Sequence, residues 1–253
     1  MLRTRVIPCL LLRNAGLVKT TRFKDPVYIG DPINTVRIFN EKEVDELAFL
    51  DITATVENRK PPFRLLSEIA GECFMPLGYG GGVRSQDDIR EILGIGAEKV
   101  IINSCAIEDT DFIRESSERF GSQSIVVSID ARKKPLFGGY EVRVRGGREG
   151  TGLDPVRHAV RMQEQGAGEI LLASIDRDGT MSGYDLELVR TVSAAVDVPV
   201  IACGGAGSVA HFVDAVQAGA SAVAAGAFFV FQGKHRAVLI NVPPREELER
   251  RLP

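Results

Sequence analysis

Two glycine turns, each placed where an apolar run ends and a helix begins, are the features of this chain best suited to hold an anion. Gly81-Gly82 closes MPLGYGGGV and Gly204-Gly205 closes PVIACGGAGS. At such a turn, backbone N–H groups and the positive end of a helix can face an anion with no side chain between them. Shifting the chain on itself by 123 residues lays one turn on the other. The same shift puts Ser85 on Ser208, Gly96-Ala97 on Gly219-Ala220 and Val100 on Val223. A repeat of that length means two copies of one multi-element unit, since solenoid periods run to roughly 20–50 residues. Two equivalent turns in two halves predict two phosphate sites facing each other. A turn taken singly could equally be glycine only for its tight reversal.

Carboxylates and amides cluster at the ends of the apolar runs: Asp51, Asn103, Asp130, Asp176 and Asp178, with Ser174 and Thr180. A carboxylate closing a run as apolar as IVVSIDA is unfavourable unless it is hydrogen-bonded or used. Asp130 is therefore the first candidate for general acid/base work, beside a purely structural role. Asp178, in SIDRDGTMSGYD, either takes part in chemistry or holds the Gly-Thr turn after it. Lys19, in GLVKT, either pairs with a phosphate or is solvated.

Composition narrows the partners. The 253 residues are 44% hydrophobic, enough for a large core, and one α/β barrel can reach this length. A net charge of −3, 6% aromatics and no Trp argue against nucleic acid and for a small anion or another protein. Cys9, Cys73, Cys105 and Cys203 show neither metal-site nor disulfide-framework spacing, which fits a reducing cytoplasm. His158, His211 and His235 do not form a metal set, and no cofactor motif is present. The opening MLRTRVIPCLLLRNAG reads as a first strand rather than a signal peptide, and no run approaches the roughly 20 apolar residues of a membrane span.

The elements that must position these groups alternate from end to end. Short β-branched runs at 5–11, 46–51, 75–80, 99–103, 124–130, 169–174, 199–203 and 222–226 read as eight strands, with amphipathic segments between them. Predicted helices include 31–43 with Pro32 in its first turn, 85–93 capped by Ser85, and 154–165 with Pro155 just inside. Eight βα units in a doubled half predict a single half-duplicated (β/α)8 TIM barrel over 1–253, with repeats at about 1–120 and 121–245; an open doubly wound sheet would leave the four-as-four repeat unexplained. Two connections, 12–30 and 132–152, are long for such loops, and each follows the first strand of a half. At the C-terminal rim they would form a lid and a wall of the site. FGGYEVRVRGG in the second suggests a small exposed hairpin.

FLDIT, GGGV, KVIINS, FGSQSIVVSIDA, GAGEILLASIDRDGTMSGYD and ACGGAG, in that order over nearly the whole chain, resemble the cyclase (synthase) subunit of imidazole glycerol phosphate synthase. That family has a half-duplicated (β/α)8 fold and a substrate with a phosphate at each end. The resemblance implies one phosphate site at Gly82, Asn103 and Ser104, and another at Asp178, Gly179, Gly205, Gly226 and Ala227. Lys19 and Asp51 match polar pocket positions, and Asp130 matches one of two catalytic aspartates.

The other aspartate is absent. Aligning VIPCLLL with VVSIDA places it at Leu11, which neither gives nor takes a proton, so ordinary imidazole formation is not expected. Arg5, Glu46, Lys99 and Glu169, at the N-terminal ends of strands one, two, four and six, resemble the family's salt-bridged gate, through which ammonia enters from a docked class I glutaminase; a ring serving stability alone is the plainer reading. Gate and phosphate turns without the second carboxylate, together with the loop RFKDPVYIGDPINTVRIFNEKEVDEL, resemble one branch of the family. Its members, from surface-polysaccharide loci, act with a glutaminase and a separate amidating enzyme to turn a sugar's acetamido group into an acetamidino group. The expected function is thus an ammonia-accepting synthase-type subunit. The alternatives are the histidine-pathway cyclase itself, and a non-catalytic conduit that activates the glutaminase. No cofactor is implied.

Overall fold

The computed structural model describes residues 3–109, 111–135 and 138–253. In chain order the elements begin with β1 (Arg5–Arg13), β2 (Gly16–Thr21), β3 (Lys24–Gly30), α1 (Pro32–Glu41), β4 (Leu47–Asp51), α2 (Phe63–Glu72) and β5 (Leu77–Gly80). Then come α3 (Gln86–Ile95), β6 (Lys99–Ile102), α4 (Cys105–Glu108), α5 (Asp111–Phe120), β7 (Ile125–Lys133), β8 (Tyr140–Val144), β9 (Glu149–Gly150) and α6 (Pro155–Glu164). The chain closes with β10 (Glu169–Ser174), α7 (Leu186–Ser193), β11 (Val200–Cys203), α8 (Val209–Gln217), β12 (Ala222–Ala225), α9 (Ala227–Val230), β13 (Phe231–Gln232), β14 (Ala237–Val238) and α10 (Arg245–Arg251).

Strands β1, β4, β5, β6, β7, β10, β11 and β12 pair in parallel, each with the next, and β12 pairs β1. The ring is closed, as the doubled half predicted. Period-two alternation divides each strand between two cores. On β1, Val6, Leu10 and Leu12 face the helices, while Ile7 and Cys9 join Ala48, Ile101, Val126, Leu171, Ile201, Ala222 and Ala224 inside the ring.

Caps repeat with the halves. Asp31 and Asp154 each accept the backbone N–H three residues on, each followed by a proline in the first helical turn. Ser85 and Ser208 do the same for α3 and α8, Ser85 within a reciprocal capping box with Asp88. The helices start within one residue of expectation. Strand two starts at Leu47, one residue after Glu46.

The long connections differ from the expected loops. The first is strand: β1 runs on to Arg13 and pairs antiparallel with β2, which pairs β3. The second follows the same plan, because β7 continues to Lys133 and pairs with β8. Its hairpin is not simply exposed, since Tyr140, Val142 and Val144 alternate inward and are buried. Phe137 of the expected hairpin, and Leu136 before it, lie outside the described residues.

Candidate active site

The C-terminal ends of the barrel strands open into a cavity of about 630 Å³. Asp130 lines it from β7 and Leu11 from β1, on opposite sides of the ring. Strand register places these two residues in equivalent positions. Leu12 pairs with Asp51 across β1 and β4, and Ala131 pairs with Ser174 across β7 and β10. Asp51 and Ser174 are 123 residues apart, the interval of the repeat. The residues just before, Leu11 and Asp130, are therefore counterparts, and the interior wall opposite the carboxyl is aliphatic.

Asp130 is buried. Burial and the nearby Asp178 carboxylate push its pKa up to about 7, against hydrogen bonds with Ser128 and Asn103 that favour the ionised form. A carboxyl titrating there can hold or release a proton at neutral pH. Cys9 and Cys203 line the same cavity, and interaction with the Cys9 thiol together with burial holds the Cys203 thiol far above its ordinary range. Neither thiol was singled out by the sequence, where nothing joins strands one and seven.

Lys19 is neither solvated nor free. It lies buried on β2, its Nζ 2.7 Å from Asp178 Oδ1. Thr20 Oγ1 donates to Asp178 Oδ2 (2.8 Å), Phe23 N–H reaches the same oxygen (3.4 Å), and Arg22 N–H donates to the Asp178 carbonyl (2.8 Å). Asp178 thus clamps the first insertion rather than the Gly-Thr turn that follows it. Gly179 (φ +69°) completes the clamp: a Cβ there would lie 2.2 Å from the Thr20 carbonyl oxygen.

The two glycine turns sit at the rim, with Gly82 and Gly205 both at positive φ. Both are also tight approaches: a Cβ would come within 2.6 Å of the Arg59 carbonyl oxygen at Gly82, and within 2.2 Å of the Gly183 carbonyl oxygen at Gly205. Gly226 precedes Ala227 at the start of α9, where a Cβ would meet the Cys9 carbonyl and the Lys19 side chain. Around the first turn, Gly82 N–H donates to Thr55 Oγ1 (3.2 Å), Asn103 Nδ2 to the Ser128 carbonyl (3.0 Å), and Ser104 Oγ to Asn103 Oδ1 (3.3 Å). Asp51 lines the cavity wall but accepts from Thr53 and Ala54 N–H groups, with Arg59 at 3.4 Å. Thr55, Arg59 and Thr20 carried no sequence signal; they are recruited by loop geometry.

At the opposite end of the barrel the four predicted charges meet. Arg5 reaches Glu46 Oε2 and Glu169 Oε1, each at 2.6 Å, and Lys99 Nζ reaches the Oε2 atoms of Glu46 (2.9 Å) and Glu169 (3.0 Å). Two cations thus bridge two carboxylates in a closed ring across the mouth. Among the described residues, no helix is long and apolar enough to cross a membrane.

Comparison with known proteins places the chain in a family. The family described as "Histidine biosynthesis protein" matches residues 5–236. A Pseudomonas aeruginosa protein, provisionally named imidazole glycerol phosphate synthase subunit, is 52% identical over 250 residues, 98% of this chain and 99% of its own. A Leptospira borgpetersenii protein with the same provisional name is 48% identical over the full length of both chains. The imidazole glycerol phosphate synthase subunit HisF of Frankia casuarinae is 49% identical over 229 residues, 90% of each chain.

Proposed function

Because the chain belongs to the histidine biosynthesis protein family, we propose that it is the ammonia-accepting, synthase-type barrel of a glutamine-dependent amidotransferase. Its partner is a class I glutaminase docked at the N-terminal face, over the ring of Arg5, Glu46, Lys99 and Glu169. The acceptor chemistry is sugar amidation in surface-polysaccharide synthesis, acetamido to acetamidino, completed with a separate amidating enzyme in the cytoplasm. Gly82, Asn103 and Ser104 hold one phosphate of a small substrate; Gly179, Gly205, Gly226 and Ala227, with Asp178 and Lys19 beside them, hold another.

The observation that carries this reading is Leu11. It occupies the register counterpart of Asp130, so only one of the two equivalent strand-end positions carries a carboxyl where a ring-closing site needs both. Loss of a positioned acid/base group lowers a rate by about 10²–10⁴-fold. The ring at the other mouth, by contrast, keeps all four charges paired.

Histidine-pathway cyclisation is the second reading, favoured by the names of the relatives and by Asp130, which titrates about pH 7. Steady-state turnover of the phosphoribulosyl formimino substrate with saturating ammonium separates the two. On the first reading the wild-type barrel is silent and Leu11→Asp gains turnover. Fast wild-type turnover would instead make this a histidine-pathway enzyme. Asp130→Asn then tests for a bare conduit: an unaffected product yield from the complete glutamine-dependent system would remove Asp130 from the chemistry.

A further inference from the structure

The two anion cradles are not equivalent, and the difference exposes an unassigned residue. Beside the second cradle stands a buried cation: Lys19 Cε would lie 3.1 Å from a Cβ on Gly226. At the first cradle one guanidinium nitrogen of Arg84 is tied to the Thr55 carbonyl and Asn58 Oδ1 (3.0 and 2.8 Å), and Arg59 is held by Glu57 and Asp51. Glu108 lines the same cavity and adds negative charge.

The turn between β8 and β9 is fastened to this cradle. Arg145 N–H donates to Ser104 Oγ (3.1 Å), a hydroxyl that itself donates to Asn103. Three arginines stand in or beside the turn. Arg143 is consumed in shaping it, donating to the Gly147 carbonyl (3.3 Å) and the Arg148 carbonyl (3.0 Å) and pairing with Glu141. Arg145 pairs with Glu149 at 3.1 Å. Arg148 lines the cavity, and its guanidinium has no acceptor among the described residues. Arg13 and Lys24 also line the cavity, but they belong to the first insertion, and among the described residues neither shows a hydrogen bond to the Ser104 turn.

We propose that Arg148 is the cationic ligand of the first anion cradle, supplied by the second insertion and held in place through Arg143 and the Arg145–Ser104 bond. Its planar fork suits two of the three terminal oxygens of a phosphate monoester lying between the Gly82 turn and Ser104. The inference rests on the phosphate reading above and adds the residue that neutralises one end of the substrate.

The test is a titration of the full chain with inorganic phosphate, followed by the amide resonances of Gly82 and Ser104 at one cradle and Gly205 and Ala227 at the other. In Arg148→Gln, the dissociation constant reported by Gly82 and Ser104 should rise roughly tenfold, as expected for losing a charge-assisted contact at a solvent-open site. That reported by Gly205 and Ala227 should not change. Arg148→Lys keeps the charge without the fork and should fall between. Equal weakening at both cradles, or none at either, would overturn the assignment while leaving phosphate binding intact. Resonances that do not move in the wild-type chain would instead remove the phosphate reading beneath it.

Discussion

Asp130 and His158 are held in opposite departures from their ordinary pKa, and each makes stability depend on pH. The folded state raises the Asp130 pKa to about 7, so the native chain binds the extra proton. Relative to an ordinary carboxyl near 3.9, its contribution is fully present below that value and is lost as pH rises through 7. Asp130→Asn should therefore stabilise the fold by up to about 4 kcal/mol at pH 8, and by less at pH 5; urea denaturation at the two pH values measures this. His158, buried on α6 with no hydrogen-bond partner for Nε2 among the described residues, has its pKa lowered to about 4 by burial and by Arg161. Its neutral form is favoured, so stability present above pH 6.5 is lost as pH falls toward 4, by at most about 3 kcal/mol. His158→Gln should flatten that acid limb in melting curves between pH 4.5 and 7. Of these two residues, Asp130 was legible because a charge closed an apolar strand; His158 was legible only as a histidine on no metal set.

The elements that shape the site are the two insertions, and each is tied to the opposite half of the barrel. Lys19 and Thr20 on β2 bind Asp178 beyond β10, and Arg145 beyond β8 binds Ser104 beyond β6. Removing one member of a buried ion pair leaves the other uncompensated, at a cost of roughly 3–5 kcal/mol. Lys19→Met should accordingly loosen β2 and β3, seen as faster amide exchange across residues 16–30 than in the barrel strands. Amide exchange confined to wild-type rates there would mean the hairpin is held by its own strand pairing. Substituting the cradle glycines is a poorer probe, because any side chain at Gly82 or Gly205 collides with backbone. The sequence showed where the insertions lie from connection length alone. It did not show that the first is strand, since GLVKTTRFKDPVYIG has no clear turn pair and its pairing is set by the β1 edge it extends.

Across the whole molecule, the chain's ends are joined at the N-terminal face. Thr4 N–H and Oγ1 donate to the Pro253 carbonyl at 3.0 and 3.1 Å, and Leu248 and Leu252 are buried against the core. Deleting residues 245–253 should destabilise the barrel by roughly 3–6 kcal/mol from those two side chains alone, measurable by denaturant unfolding. The charge ring nearby predicts a functional split. Arg5→Met, which leaves Glu46 and Glu169 sharing Lys99, should alter glutamine-dependent product formation more than the ammonium-dependent reaction; equal effects would mark the ring as a stability device.

What the sequence determined by itself was the closed, doubled barrel and the positions of its charged ends. A 123-residue repeat, period-two strands and Asp-Pro or Ser caps are local signals that survive without knowledge of contacts. It also marked Leu11 as the odd member of a pair, which strand register then placed opposite Asp130. Only the tertiary structure decided what each polar side chain does there. The Lys19–Asp178 pair spans 159 residues, the Cys9–Cys203 contact joins strands one and seven, and Arg148 reaches the cavity through a hairpin. Such partnerships depend on ring closure and loop trajectory, and a linear pattern carries no record of which distant groups closure brings within hydrogen-bonding distance.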